Sequence, residues 1–228
     1  MKTTKSLPML PKTLFFDVNE TLLDLTPVRE SVAEALNGKR ELVPLWFQSL
    51  LHLSLVYSAG GKFKPFGQLA ADALVSVAVN HKIELSISDA ETAIRPILSC
   101  KPHDDVIPGL QTLRKAGYRL ITLTNSSSSA LEQQMKNSGL HDLFDKHLSV
   151  EEFGIYKPHR VVYEKAAKKL RTKPDNCMMI ATHDWDIMGA AWAGFQTVFI
   201  SRGDGRYTHE LPEPDAFASG IEALSLSL

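Results

Sequence analysis

Four short apolar runs set the limits on how this chain can fold. Residues 14–16 run into Asp17, residues 118–123 into Thr124-Asn125, residues 177–180 into Ala181-Thr182-His183-Asp184, and residues 196–200 into Ser201-Arg202-Gly203. A shorter run, 147–150, leads into Glu151-Glu152. Between them lie helix-length segments with recognisable stops: 108–117, 128–137 ending before Gly139, 158–170 opening on a proline, and 185–194. Apolar runs of strand length alternating with helices cannot all be antiparallel hairpins. They predict an α/β fold with a Rossmann-like parallel sheet covered by helices on both faces. Residues 25–101 break this rhythm. They carry four amphipathic stretches, 27–36, 42–57, 67–80 and 88–98, and no strand signal. The expected organisation is a core from 12–24 and 102–215, an inserted helical cap domain at 25–101, and terminal extensions at 1–11 and 216–228.

Composition narrows the function. Of 228 residues, 25 are Lys or Arg and 26 Asp or Glu, a formal net charge of −1. Such a balance gives no broad electrostatic grip on nucleic acid. Two cysteines, Cys100 and Cys177, are too few for a disulfide framework, and a reducing compartment is the expectation. Residues 1–12 hold Lys2, Lys5 and Lys12 without an apolar stretch, so no ordinary signal peptide is expected. No apolar run approaches the roughly 18 residues of a membrane span. The predicted location is cytoplasmic, with no nucleic-acid or membrane partner.

In open parallel sheets ligands bind beyond the carboxyl ends of the strands. The polar residues gathered there are Asp17, Asn19, Glu20, Thr21, Thr124, Asn125, Lys157, His183, Asp184 and Asp186. A carboxylate directly after an apolar strand is costly unless something uses or pairs it.

These residues resemble the haloacid dehalogenase superfamily. Phe16-Asp17-Val18-Asn19-Glu20-Thr21-Leu22 is similar to its first motif, whose nucleophile is the first Asp. Thr124-Asn125 resembles motif two, Lys157-Pro158 with Tyr163 motif three, and His183-Asp184-Trp185-Asp186 with Gly189-Ala190 motif four. The resemblance covers residues 12–23 and 102–215, and the helical insert matches the superfamily's cap. Its metal-dependent phosphatases carry a second Asp two residues after the nucleophile, and this chain has Asn19, which cannot relay a proton. The pattern is closer to the type II (L-)2-haloacid dehalogenases, which use neither metal nor cofactor. In the cap, Trp46-Phe47-Gln48, Leu51 and Phe66 align with the substrate-lining segments of that family. Phe47 stands where the family usually carries a halide-holding Arg, Asn19 where it has Tyr, and Glu20 where it has Gly; motif four reads Ala181-Thr182-His183 in place of Ser-Ser-Asn.

The resemblance implies hydrolysis of short-chain (S)-2-haloalkanoic acids to 2-hydroxy acids through an aspartyl ester. The motifs make Asp17, Lys157 and Asp186 catalytic; Glu20 and His183, where the chain departs from the family, are read from the residues themselves as an added catalytic pair, in which an imidazole of ordinary pKa oriented by Glu20 activates water. Asn19, Thr21, Phe47, Gln48, Leu51, Phe66, Thr124, Asn125, Tyr163 and Trp185 would bind the substrate. The substrate carboxylate would rest on backbone N–H groups at the helix start after Asn125. Asp184 is expected to cap the following helix. Family members are often homodimers, and the sequence leaves that open. The alternative readings are a Mg²⁺-dependent phosphohydrolase with Glu20 as its acid, and a binding protein without activity.

Overall fold

The computed structural model describes residues 11–203, 207 and 212–228. Six parallel strands form one sheet in the order β3-β2-β1-β4-β5-β6. They are β1 (Thr13–Phe16), β2 (Arg119–Thr124), β3 (Lys146–Ser149), β4 (Cys177–Ala181), β5 (Gln196–Ile200) and β6 (Ala216–Ala218). The central strand β1 pairs with β2 on one edge and β4 on the other, aligning Phe16 with Thr122 and Ile180. Chain direction across the sheet reverses here, which opens a crevice at the carboxyl ends. Leu14, Phe15, Phe16 and β4 are wholly buried, so their apolar side chains hold the sheet against helices on both faces.

The cap contains α1 (Thr26–Ala35), α2 (Val43–Ala59), α3 (Phe66–Asn80) and α4 (Ile87–Ile94), followed by a 3-10 turn, Arg95–Ser99. Local chemistry sets the helix starts. Asp24 Oδ1 receives Thr26 N at 2.9 Å ahead of Pro27, and Ser86 Oγ caps α4 by accepting from Asp89 N. The Trp46 indole donates to Ala70 O at 2.9 Å and fixes α2 on α3. The helix from Arg40 to Ala59 is, by length and composition alone, apolar enough to cross a membrane, contrary to the expectation from run length. Its isolated polar residues, Gln48, Ser49 and His52, break the apolar run without lowering its average enough to exclude it.

The remaining helices are α5 (Val106–Lys115), α6 (Ser128–Asn137), α7 (Arg160–Lys169), α8 (Asp184–Trp192) and α9 (Ile221–Ser225). One boundary differs from expectation. Residues 216–228 are no extension, because β6 extends the sheet beside β5 and α9 packs on α5. A side chain at Gly109 would meet the Ile221 carbonyl at 2.6–2.7 Å, so the close approach of these helices needs glycine there. The expected extension at 1–11 lies, apart from Pro11, outside the described residues.

Candidate active site

Asp17 leaves the end of β1 with its backbone N–H on Ile180 O at 3.0 Å, and only 4% of the residue is exposed. Its two carboxylate oxygens face different surroundings. Oδ1 accepts from Lys157 Nζ at 2.9 Å; Oδ2 accepts from Thr21 Oγ1 at 2.8 Å and lies 3.4 Å from His183 Nδ1. Burial works to raise the Asp17 pKa, but the charges of Lys157 and His183 outweigh it and hold the carboxyl well below its ordinary range. A buried, ionised carboxylate with one partly free oxygen is a nucleophile.

Lys157 is fully buried. Its Nζ also donates to Leu123 O at 2.8 Å and to Asp186 Oδ2 at 2.5 Å, which satisfies all three ammonium protons. Burial alone would discharge it, and Asp17 with Asp186 reverses that, raising its pKa. The Asp186 carboxylate is completed by Tyr163 OH at 2.6 Å. Gly189 makes the assembly possible, since a side chain there would collide with Pro158 O at 2.4 Å and the Tyr163 ring at 2.8 Å. Asn125 Oδ1 receives Lys157 N at 3.0 Å and pins the turn.

On the other side of Asp17, His183 stands between two carboxylates. Its Nε2 is 2.7 Å from Glu20 Oε2, while Nδ1 points toward Asp17 without an aligned hydrogen bond. Trp185 stacks on the imidazole at 5.0 Å, and the Phe47 ring lies 5.8 Å from it. Burial would lower the His183 pKa, yet the adjoining Asp17 carboxylate and the hydrogen bond and charge of Glu20 raise it to about 9. The expectation of an ordinary imidazole is therefore corrected: at neutral pH the resting group is an imidazolium. Glu20, buried enough to be raised, is instead lowered by His183 and then Arg29.

A cavity of about 940 Å³ opens over this cluster, lined by Asn19, Glu20 and His183 from the core and by Phe47, Leu50 and Phe66 from the cap. That lies near the top of the range for small-molecule pockets, about 300–1,000 Å³.

Several predicted substrate contacts are placed elsewhere. Tyr163 is wholly buried and serves Asp186. Gln48 lines a separate surface pocket with Ser49 and His52, because it projects from the opposite side of α2. Leu51 packs against the core of the cap, away from the cavity wall. Thr124 is buried, its Oγ1 accepting from Ser126 N at 3.2 Å, and Thr21 is turned onto Asp17. Asn19 lines the cavity, but its amide donates to Ser126 Oγ at 3.1 Å and accepts from Gln134 Nε2 at 2.8 Å. Asn125 Nδ2 is buried with no partner, the one amide donor of this turn left unused. Asp184 sits in the first turn of α8, its Oδ1 accepting from Trp185 N at 2.7 Å. The start of α6 is already occupied in part, since Ser128 N donates to Glu151 Oε2 at 2.8 Å.

Four further residues position the site. Arg29 from α1 pairs with Glu20 Oε1. His103 Nε2 lies 3.0 Å from Glu20 O, Gln134 holds Asn19, and Arg202 donates to Thr21 O at 3.0 Å while pairing with Asp105. Arg202 sits at a strand end, which is a signal for it; Arg29 follows Glu20 by nine residues but belongs to a cap helix, and His103 and Gln134 are far from their partners in sequence. Among the described residues, no group of three or more His, Cys, Asp or Glu is placed to hold a metal ion.

The chain is similar to known proteins over most of its length. The family described as haloacid dehalogenase-like hydrolase matches residues 11–194. The chain is 29% identical over 214 residues to an (S)-2-haloacid dehalogenase of Pseudomonas sp. (strain YL), covering 93% of this chain and 92% of that protein. It is 31% identical over 189 residues to (S)-2-haloacid dehalogenase 1 of Pseudomonas sp. (strain CBS-3), covering 82% and 83%. A solved structure, the L-2-haloacid dehalogenase RSc1362, superposes with a TM-score of 0.89 at 26% identity, over 96% of this chain and 99% of that one.

Proposed function

As the chain belongs to the haloacid dehalogenase-like hydrolases, we propose that it hydrolyses the carbon–halogen bond of (S)-2-haloacids through an ester on Asp17. The observation that carries this reading is the divided carboxylate of Asp17, one oxygen fixed on Lys157 and the other beside His183. The relatives named for this activity supply the substrate class.

Asp17 attacks C2, a C–O bond forms as the C–halogen bond breaks, and halide leaves as a stable anion that needs no proton. This explains how Asn19 is tolerated where a phosphatase needs an acid. Ester formation also removes the negative charge from Asp17. One of the two carboxylates that keep His183 protonated is then gone, and the imidazolium releases its Nδ1 proton through the cavity that His183 lines. Neutral His183, its Nε2–H held on Glu20, takes a proton from water at Nδ1. The resulting hydroxide adds to the ester carbonyl, and collapse expels the 2-hydroxy acid. Asp17 returns as a carboxylate and His183 as an imidazolium, with one proton and one halide released per turnover. Lys157, Thr21 and Asn125 position the nucleophile, and Asp186 with Tyr163 positions Lys157. Phe47 and Phe66 give the site its apolar walls, while Trp185, predicted to join them, lies outside the cavity lining and stacks on His183.

Halide release from chloroacetate, bromoacetate and each enantiomer of 2-bromopropionate, with and without EDTA, tests this directly. Metal-independent release that disappears in Asp17→Asn is expected. Phosphate release that requires Mg²⁺, without halide release, would overturn the reading. Two buried, unpaired thiols, Cys100 and Cys177, suit a cytoplasmic setting. Exposed Leu45, Leu55 and Val56 on α2 offer apolar surface that a homodimer would cover, which light scattering measures.

A further inference from the structure

Glu20 is held in an unusual way. Its φ of +64° lies in the left-handed region, which a residue with a Cβ occupies at a cost. His103 on its carbonyl and Arg202 on the next carbonyl fix the backbone there. Backbone fixation does not set the direction of the carboxylate, which depends on three side-chain torsions. The oxygens are gripped from two domains: Oε2 by His183 of the core at 2.7 Å, Oε1 by Arg29 of the cap. Arg29 is 56% exposed and the Glu20 side chain 18%. A half-exposed ion pair adds little to stability, so folding alone gives weak reason for a cap residue to reach this carboxylate.

We propose that Arg29 is a positioning residue for ester hydrolysis, holding Glu20 so that His183 can accept the proton of the attacking water, and that this base is assembled only with the cap seated on the core. The inference rests on the reading of His183 and Glu20 as the water-activating pair. Without Arg29, the Glu20 carboxylate can turn into the cavity it lines, and the Nε2–H of His183 loses its fixed acceptor. Attack of Asp17 on the substrate does not use this pair, so only the second half of the reaction depends on Arg29.

Single-turnover mixing with bromoacetate, followed by intact-protein mass spectrometry, separates ester formation from ester hydrolysis. In Arg29→Met the ester is expected to form at the wild-type rate and to hydrolyse about 10- to 100-fold more slowly, so that kcat and KM fall together and kcat/KM stays within about twofold. Arg29→Lys should recover part of the rate, and in a Glu20→Gln background Arg29→Met should add no further loss. Thermal melts confirm that each variant is folded, and the Lys variant carries the test if the Met variant is not. Hydrolysis at the wild-type rate in Arg29→Met overturns the inference, and so does a raised KM with normal hydrolysis, which would make Arg29 a direct substrate holder. If His183→Asn hydrolyses its ester at the wild-type rate, the water-activating pair itself is wrong, a failure separate from that of Arg29.

Discussion

The two sides of Asp17 are built by different rules. On the core side, Lys157, Asp186 and Tyr163 are wholly buried, satisfied by one another, and drawn from two adjoining helices and the turn before them. On the cap-facing side, His183, Glu20 and Arg29 form an equally continuous chain of charges, but exposure rises outward from 12% at the His183 side chain to 56% at Arg29. The buried side cannot change its protonation without leaving a bare charge in the interior. The outer side can, because water reaches it. The difference assigns the fixed work of holding the nucleophile to one side and the proton traffic to the other.

The largest effect expected is loss of the group both sides share. Asp17→Asn should lower halide release by at least about 10⁴-fold, measured with bromoacetate. Next, His183→Asn should leave the first alkylation intact and slow ester hydrolysis by about 10²- to 10⁴-fold, so that the adduct persists in the mass spectrum. Wild-type turnover in that variant would break the division of labour. Lys157→Met should cost about 3–5 kcal/mol of stability, because two buried carboxylates lose their counter-charge. Urea unfolding measures it, and a loss below about 1 kcal/mol would show that the core side is no more rigid than the outer one.

The pH dependence sharpens the comparison further. The folded-state pKa of His183 is raised from 6.5 to about 9. Its contribution to stability is complete below about pH 6.5 and is lost as pH rises toward 9, an effect of order 1–3 kcal/mol. Asp17, shifted down, contributes above about pH 4 and loses that contribution as pH falls. A fall in melting temperature between pH 6.5 and 9 that is absent in His183→Asn is expected. The smallest effect concerns Glu151, whose carboxylate occupies Ser128 N. Glu151→Ala should lower KM for haloacids about two- to fivefold by removing a competing anion, and an unchanged KM would place the substrate carboxylate elsewhere.

Much of the core was legible because strand ends are punctuated. Asp17, Lys157, His183 and Asp186 each follow an apolar run or its turn, and the sheet brings such ends together whatever the loops do. The Glu20–His183 juxtaposition was legible for the same reason. The edge strand β6 was not, since three residues, two of them alanine, carry no periodic signal. Gln48 and Leu51 were misplaced because a one-residue shift turns a helical side chain by about 100°, and family alignment fixes a segment without fixing its facing. Motif position alone makes Tyr163 a substrate contact, but it lies among buried charges and its phenol donates to Asp186.

The sequence by itself determined the alternation of strands and helices, the inserted cap, and the set of charged residues at the strand ends. These follow from local rules: apolar periodicity, turn chemistry and the cost of a buried charge. Only the tertiary structure decided how those charges are shared, which oxygen of Asp17 each neighbour takes, and that the cap reaches Glu20 through Arg29. It also decided that His183 rests as an imidazolium. A side chain's protonation depends on the charges within a few ångströms of it, and residues 17, 20, 29 and 183 become neighbours only when the sheet and cap close around them.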